Sequence, residues 1–143
     1  MDKGTYALLI ELKNETTLMV GKLGEFDFPS GFYIYFGSAL GGLSARINRH
    51  LKHDKHLHWH IDYLLQSAEV AEVWYLSNDQ RLECTLYREA HELLDSADIA
   101  LGFGSSDCRC PSHLLYFTTK PSFASFKKRL RGRGFTLNRW GVT

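Results

Sequence analysis

Gly31-Phe32-Tyr33-Ile34-Tyr35-Phe36-Gly37 is the stretch that decides how this chain is read. It is an aromatic and β-branched run bracketed by glycines, the composition of a strand that packs on a half-buried or buried surface. The period changes directly after Ser38-Ala39. Leu43, Ile47 and Leu51 recur every four residues, which predicts an amphipathic helix with those three inward. Arg46, His50 and His53 fall on a neighbouring stripe of the same helix, able to look onto a groove beside the sheet.

Working outward, Gly4 to Leu12 reads as a first strand, and Thr17-Leu18-Met19-Val20-Gly21 as the returning strand of a hairpin. A Gly24 to Ser30 loop closed by Pro29 follows. Downstream, Trp59 to Leu65 reads as a short helix, Val70 to Leu76 as a strand, and Leu82, Leu86, Ala90 and Leu93 as the stripe of a third helix. Leu114 to Phe117 is a last strand. Pro121-Ser122 caps a final helix with Phe123, Phe126 and Leu130 inward and Lys127, Lys128 and Arg131 outward, ended at Gly132. With no internal repeat or linker, the 143 residues are expected to form a single α/β (α+β) domain. Its expected core is a small antiparallel sheet of about three strands flanked by helices.

Composition narrows the function classes. Hydrophobic content of 44% with 23% charged residues is ordinary for a globular protein and too apolar for disorder. No apolar run reaches the ~18 residues of a membrane span, so no membrane partner is expected. The start leads straight into strand-like sequence with no signal-peptide core. The odd count of three cysteines argues against a disulfide scaffold and for a reducing cytoplasm. The net charge of +1 conceals an asymmetry: all 16 acids lie in residues 1–107, while 108–143 hold eight basic residues and no acid. A second basic zone, Arg46 to His60, contains five of the seven histidines. Two basic zones on a near-neutral chain point to an anionic partner such as nucleic acid. Arg49 and Lys52 in the first zone, and Lys127, Lys128, Arg131 and Arg133 in the basic helix and tail at about 122–143, are the candidate phosphate contacts. Phe135 and Trp140 are expected to pack on the domain, with stacking on unpaired bases as the other use of such rings.

Tyrosines at strand ends, an Arg and a His one turn apart, and an isolated Glu on a later helix are parts that phosphodiester hydrolysis requires: a base for water, a cation for the added negative charge, a carboxylate for a divalent metal. Tyr35-Phe36-Gly37-Ser38-Ala39, with Arg46 and then Arg49-His50, resembles the second half of the GIY-YIG nuclease signature, and Gly4-Thr5-Tyr6 is similar to its first half. Glu83 matches that family's metal-binding glutamate. His58-Trp59-His60-Ile61-Asp62-Tyr63-Leu64 and Gly102-Phe103-Gly104-Ser105-Ser106-Asp107-Cys108 resemble a prokaryotic branch of the same family, some members of which are fused to base-excision DNA glycosylases.

The resemblance implies an endonuclease that cuts DNA in preference to RNA during repair or processing, with a repair glycosylase as a possible partner. Glu83 would hold Mg²⁺ or Mn²⁺. Tyr6 would be the general base, Tyr35 would orient the water, Arg46 would stabilise phosphoryl charge, and His50 would assist proton transfer or bind phosphate. Thr17–Gly21 and the Gly24–Ser30 loop would be a hairpin insertion between the two halves. Gly31-Phe32-Tyr33 also mimics a GIY element. Tyr33 and Tyr35, however, lie on one face of one strand, only about 7 Å apart, so a separate paired strand is the expected source of the first tyrosine. For the family's late asparagine, Asn138 is distant, so either Ser105 or Asp107 would substitute or the role would be vacant. Asp62 is expected to cap a backbone group or orient a histidine. The alternative function is a non-catalytic nucleic-acid-binding module on the same fold.

Two other features stand apart. Cys108-x-Cys110-x-x-His113, with Cys84 as a fourth ligand, offers a zinc set, although its one-residue gap is tighter than the usual C-x₂₋₄-C pair and free thiols are the competing reading. The Gly102–Ser106 loop lacks the Lys-Ser/Thr ending of a phosphate-binding P-loop.

Overall fold

A computed structural model describes residues 2–52, 55–105 and 108–141; His53, Ser106 and Asp107 fall outside them. Strand β1 (Gly4–Leu12) is buried along almost its whole length, because it lies mid-sheet with both faces covered. It pairs antiparallel with β4 (Gly31–Ala39) on one side and β5 (Glu69–Ser77) on the other. Strand β6 (Leu114–Phe117) adds to β4, and the two-residue β7 (Asn138–Arg139) adds to β5. The fold is α+β, and its sheet has five strands in the order β6-β4-β1-β5-β7 rather than about three.

The expected return of Thr17–Gly21 along the first strand is also corrected. Strand β2 (Thr16–Val20) does not return along β1; it pairs with β3 (Gly24–Phe28), a segment whose sequence reads as loop, in a separate two-stranded sheet. The reason is occupancy: both edges of β1 are taken by β4 and β5, so the hairpin folds over the sheet and anchors itself through buried Val20 and Phe28. It lies outside the main sheet.

Alternation along the strands sends side chains to two cores. Tyr6, Leu8, Ile10, Tyr33 and Tyr35 meet α1 (Leu43–Leu51), α2 (His60–Leu65), the hairpin and Phe103 on one face. Ala7, Leu9, Ile34 and Phe36 meet α3 (Glu83–Leu93) and α4 (Phe123–Gly132) on the other. The first turn of α1 has no side-chain cap of its own; the backbone oxygen and carboxylate of Asp2 accept from Leu43 N and Ser44 N at 2.6 and 2.8 Å, satisfying N–H groups a helix start leaves open. Leu43 and Ile47 are inward as expected, but Leu51, the last residue of α1, is 43% exposed. Helix α4 follows its sequence pattern closely: Ser122 Oγ accepts from Ala124 N at 3.2 Å, and Phe123, Phe126 and Leu130 are buried. No helix among the described residues is long and apolar enough to cross a membrane.

Candidate active site

The register of β1 on β4 builds the centre of the site. Tyr6 lies directly across from Gly37, and Leu8 across from Tyr35, so Tyr6 and Tyr35 are diagonal neighbours on one face, ring centroids 6.5 Å apart. Tyr6 thus stands on a separate strand paired with that of Tyr35. Tyr33 turns its hydroxyl to Pro29 O at 2.5 Å and packs on Tyr116, away from the other two. Gly37 is required by close approach: a Cβ there would sit 2.4 Å from the Tyr6 hydroxyl oxygen. That oxygen is 2.6 Å from His50 Nε2, on the inward side of α1.

Electrostatics sets the protonation of this group. Burial pushes the Tyr6 hydroxyl above the usual tyrosine range, against the opposing pull of the Arg46 guanidinium. Burial does the same to Tyr35, helped by Tyr6. Burial holds the His50 imidazole down at about 3, so the ring is neutral near pH 7. His50 Nδ1 is buried without a partner among the described residues. In the tautomer with the ring proton on Nδ1, Nε2 is the acceptor for the Tyr6 proton.

Glu83 reaches the same place from the opposite face of the sheet. It opens α3, where a carboxylate complements the helix dipole. Its Oε2 accepts from the Ser38 hydroxyl, and Arg46 Nη1 donates to Ser38 O at 3.1 Å. Ser38 therefore joins the Tyr6–His50 side to the Glu83 side where β4 runs out. Thr5, opposite Ser38, is fully buried, and its Oγ1 accepts from Leu82 N at 3.2 Å, pinning the residue before Glu83. Sequence reasoning assigned no role to Ser38 or Thr5; only the β1–β4 register could have drawn attention to them.

The other candidates divide. Arg49 is engaged internally: it makes a bidentate pair with buried Asp62 at 2.9 and 2.8 Å and lies 4.2 Å from the Trp59 ring centroid, with Arg46 at 4.3 Å. Burial alone would raise the Asp62 carboxyl, but Arg49 and the N–H groups of Trp59 and His58 hold it below the usual range. Asp62 is thus the backbone cap its position suggests. His60 Nδ1 accepts from Gly104 N at 2.8 Å and holds the loop beside Tyr35. Ser105 is buried, its hydroxyl without a partner among the described residues, Asn138 is exposed on β7, and Asp107 lies outside the described residues.

Lys52 is exposed beyond α1. Lys127, Lys128, Arg131 and Arg133 lie on or next to α4, packed on the far face of the sheet from the two tyrosines, so the two basic zones do not merge into one surface at the site. Arg133 is paired with Glu89, and Lys127 lies 5.9 Å from the Trp74 ring centroid, leaving Lys128 and Arg131 as exposed cations. Phe135 and Trp140 pack on the domain, Trp140 edge-on to Tyr75 at 5.3 Å. Cys84, Cys108, Cys110 and His113 do converge, with ligand atoms all within 4.8 Å of one another.

A family model described as "Domain of unknown function DUF123" matches residues 5–133. The chain belongs to the DUF123 family. The match takes in both cores, the tyrosine strands, Glu83 and the cysteine cluster of this DUF123 chain. No curated protein and no solved structure matches it.

Proposed function

We propose that the chain is a divalent-metal-dependent endonuclease of the GIY-YIG type, hydrolysing phosphodiester bonds in DNA in preference to RNA. The observation that carries this proposal is the 2.6 Å contact between the Tyr6 hydroxyl and neutral His50. Beside it, Ser38 joins the Arg46 guanidinium to the Glu83 carboxylate. On this reading the sheet is a GIY-YIG core enlarged by β6 and β7, with the β2–β3 hairpin inserted outside it.

Tyr6, held above its usual range, is protonated near pH 7 and can take a proton from water only by passing its own on, and His50 Nε2 is the acceptor within reach. The attacking water gives its proton to the Tyr6 hydroxyl oxygen while the Tyr6 proton passes to His50 Nε2, leaving Tyr6 neutral and His50 as a transient imidazolium that returns the proton to the leaving oxygen or to solvent. Tyr35 borders the same space and orients the water. Arg46 stabilises the negative charge that gathers on the phosphoryl oxygens. Glu83 and the Ser38 hydroxyl offer oxygen donors only, with a single carboxylate, a set that fits Mg²⁺ or Mn²⁺ retaining most of its water. Such an ion supplies Lewis-acid stabilisation of phosphoryl charge when bound.

The test is cleavage of labelled single-stranded, nicked, flapped and branched DNA with Mg²⁺, Mn²⁺ or EDTA, comparing wild type with Glu83→Gln. Metal-dependent cutting that disappears in the variant, with DNA binding retained, is the expected result. Equal cutting by both proteins would refute the assignment. Salt-sensitive binding without cutting by wild type would favour the non-catalytic binding module, for which the exposed Lys128 and Arg131 are the supporting observation.

A further inference from the structure

Cys84 is the second residue of α3, whereas Cys108, Cys110 and His113 belong to the segment that leads into β6. The sulfur and nitrogen atoms of these four residues nevertheless lie within 4.8 Å of one another. We propose that they bind one structural Zn²⁺ ion, which ties the first turn of α3 to the edge of the sheet.

The donor chemistry and the distances both select zinc. Three thiolates and an imidazole form a Cys₃His set, one of the closed four-ligand sets of structural zinc, and soft sulfur disfavours Mg²⁺ or Ca²⁺. Zinc bond lengths place tetrahedral nitrogen and sulfur ligands about 3.5 Å apart and sulfur pairs about 3.8 Å apart. His113 Nε2 is 3.3 Å from Cys84 Sγ and 3.4 Å from Cys108 Sγ, within a few tenths of an ångström of that geometry. A spread of no more than 4.8 Å leaves room for a single ion at the centre.

The scaffold holds the ligands ready. His113 is buried, its N donates to Phe103 O at 2.7 Å and its carbonyl accepts from Phe36 N at 3.0 Å, fixing the backbone on both sides. Cys108 is held by its N–H to Ser105 O at 3.3 Å. The three cysteines are free thiols, and an odd number could not all be consumed by disulfides within the chain. A zinc ion with three thiolates and neutral imidazole carries a net negative charge, and Arg88 brings its Nη1 to 4.0 Å from Cys110 Sγ. The tight Cys-x-Cys gap, unusual as a local pair, is accommodated because the fourth ligand arrives from a helix 24 residues earlier than Cys108.

One consequence rests on the nuclease proposal: Cys84 adjoins Glu83, so zinc would fix the helix turn that presents the carboxylate. The metal site itself is tested apart from cleavage. The full chain, purified under reducing conditions without chelators, is assayed by elemental analysis, then stripped and titrated with Co²⁺ alone while thiolate charge-transfer absorption is recorded. One zinc per chain is expected, with Co²⁺ giving the thiolate bands, and loss of nearly all bound zinc in Cys108→Ser and Cys110→Ser. Glu83→Gln should keep its zinc, which separates this site from the proposed catalytic one. Little zinc together with no thiolate bands in wild type, iron in place of zinc, or undiminished zinc in folded cysteine variants would each overturn the proposal. If those variants do not fold, the wild-type cobalt spectrum decides it.

Discussion

Replacing Gly37 by alanine tests the geometry at the heart of the site with a single methyl group. The added Cβ would lie 2.4 Å from the Tyr6 hydroxyl oxygen and 2.5 Å from Cζ, where ordinary contacts are about 3.5–4.0 Å. The ring must therefore withdraw by about 1 Å. It has nowhere easy to go, since Tyr6 is 1% exposed and bounded by the rings of Tyr35 and His50. Overpacking of this kind costs about 1–3 kcal/mol, which for a chain of this size lowers the unfolding midpoint by roughly 2–12 °C. The same displacement breaks the 2.6 Å contact with His50, and a shift of that size in a reacting group costs about 10²-fold in rate. Gly132→Ala at the end of α4 is the control: its Cβ would meet nothing within 4 Å, so the identical change should be neutral or stabilise by about 0.5–1 kcal/mol. Thermal unfolding by circular dichroism and cleavage of the preferred DNA substrate measure the two effects. A Gly37→Ala protein that melts and cuts like wild type would refute the placement of Tyr6 against Gly37, and with it the proposed proton path.

Two further predictions concern buried charge. His50 is depressed to about 3 in the folded chain against about 6.5 unfolded, so the unfolded state binds more protons between those values; its neutral burial is fully tolerated above pH 6.5 and costs stability progressively as pH falls towards 3. His50→Gln should flatten the pH dependence of denaturant-measured stability in that window by up to about 1.4 kcal/mol per pH unit, leaving the smaller shares of His60 and His113, which burial also lowers; an unchanged slope would contradict a buried neutral imidazole. Asp62→Asn removes the charge facing Arg49 and disturbs the two backbone N–H groups that the carboxylate accepts. It should cost about 3 kcal/mol, read as a lower urea midpoint, and a loss within error of zero would mean that Arg49 and Asp62 contribute no net stability.

The candidate site was legible through the resemblance of its residues to the GIY-YIG signature, and local pattern supported it. Tyr35 and Gly37 end an aromatic strand, Arg46 and His50 share one helix stripe, and Glu83 borders the apolar stripe of another helix. Ser38 and Thr5 were silent because their roles depend on which strand faces which. Arg49 shows the same limit from the other direction. A basic residue on a helix looks available for phosphate, and only the approach of α2 reveals that it neutralises a fully buried carboxylate.

By itself the sequence determined where helices and strands form and which face of each is apolar, because a period of two or 3.6 and a cap such as Ser122 act within a few residues. The tertiary structure decided the partners. It gave both edges of β1 to β4 and β5, sent β2 and β3 off as a hairpin, and added β6 and β7 to the sheet. It also set the basic helix α4 on the far face from the tyrosines, and brought Cys84 to Cys108, Cys110 and His113. An apolar face specifies that it must be covered but not by what, since burial is non-directional and every apolar surface competes for the same space. Which segments meet is settled only when the whole chain packs at once.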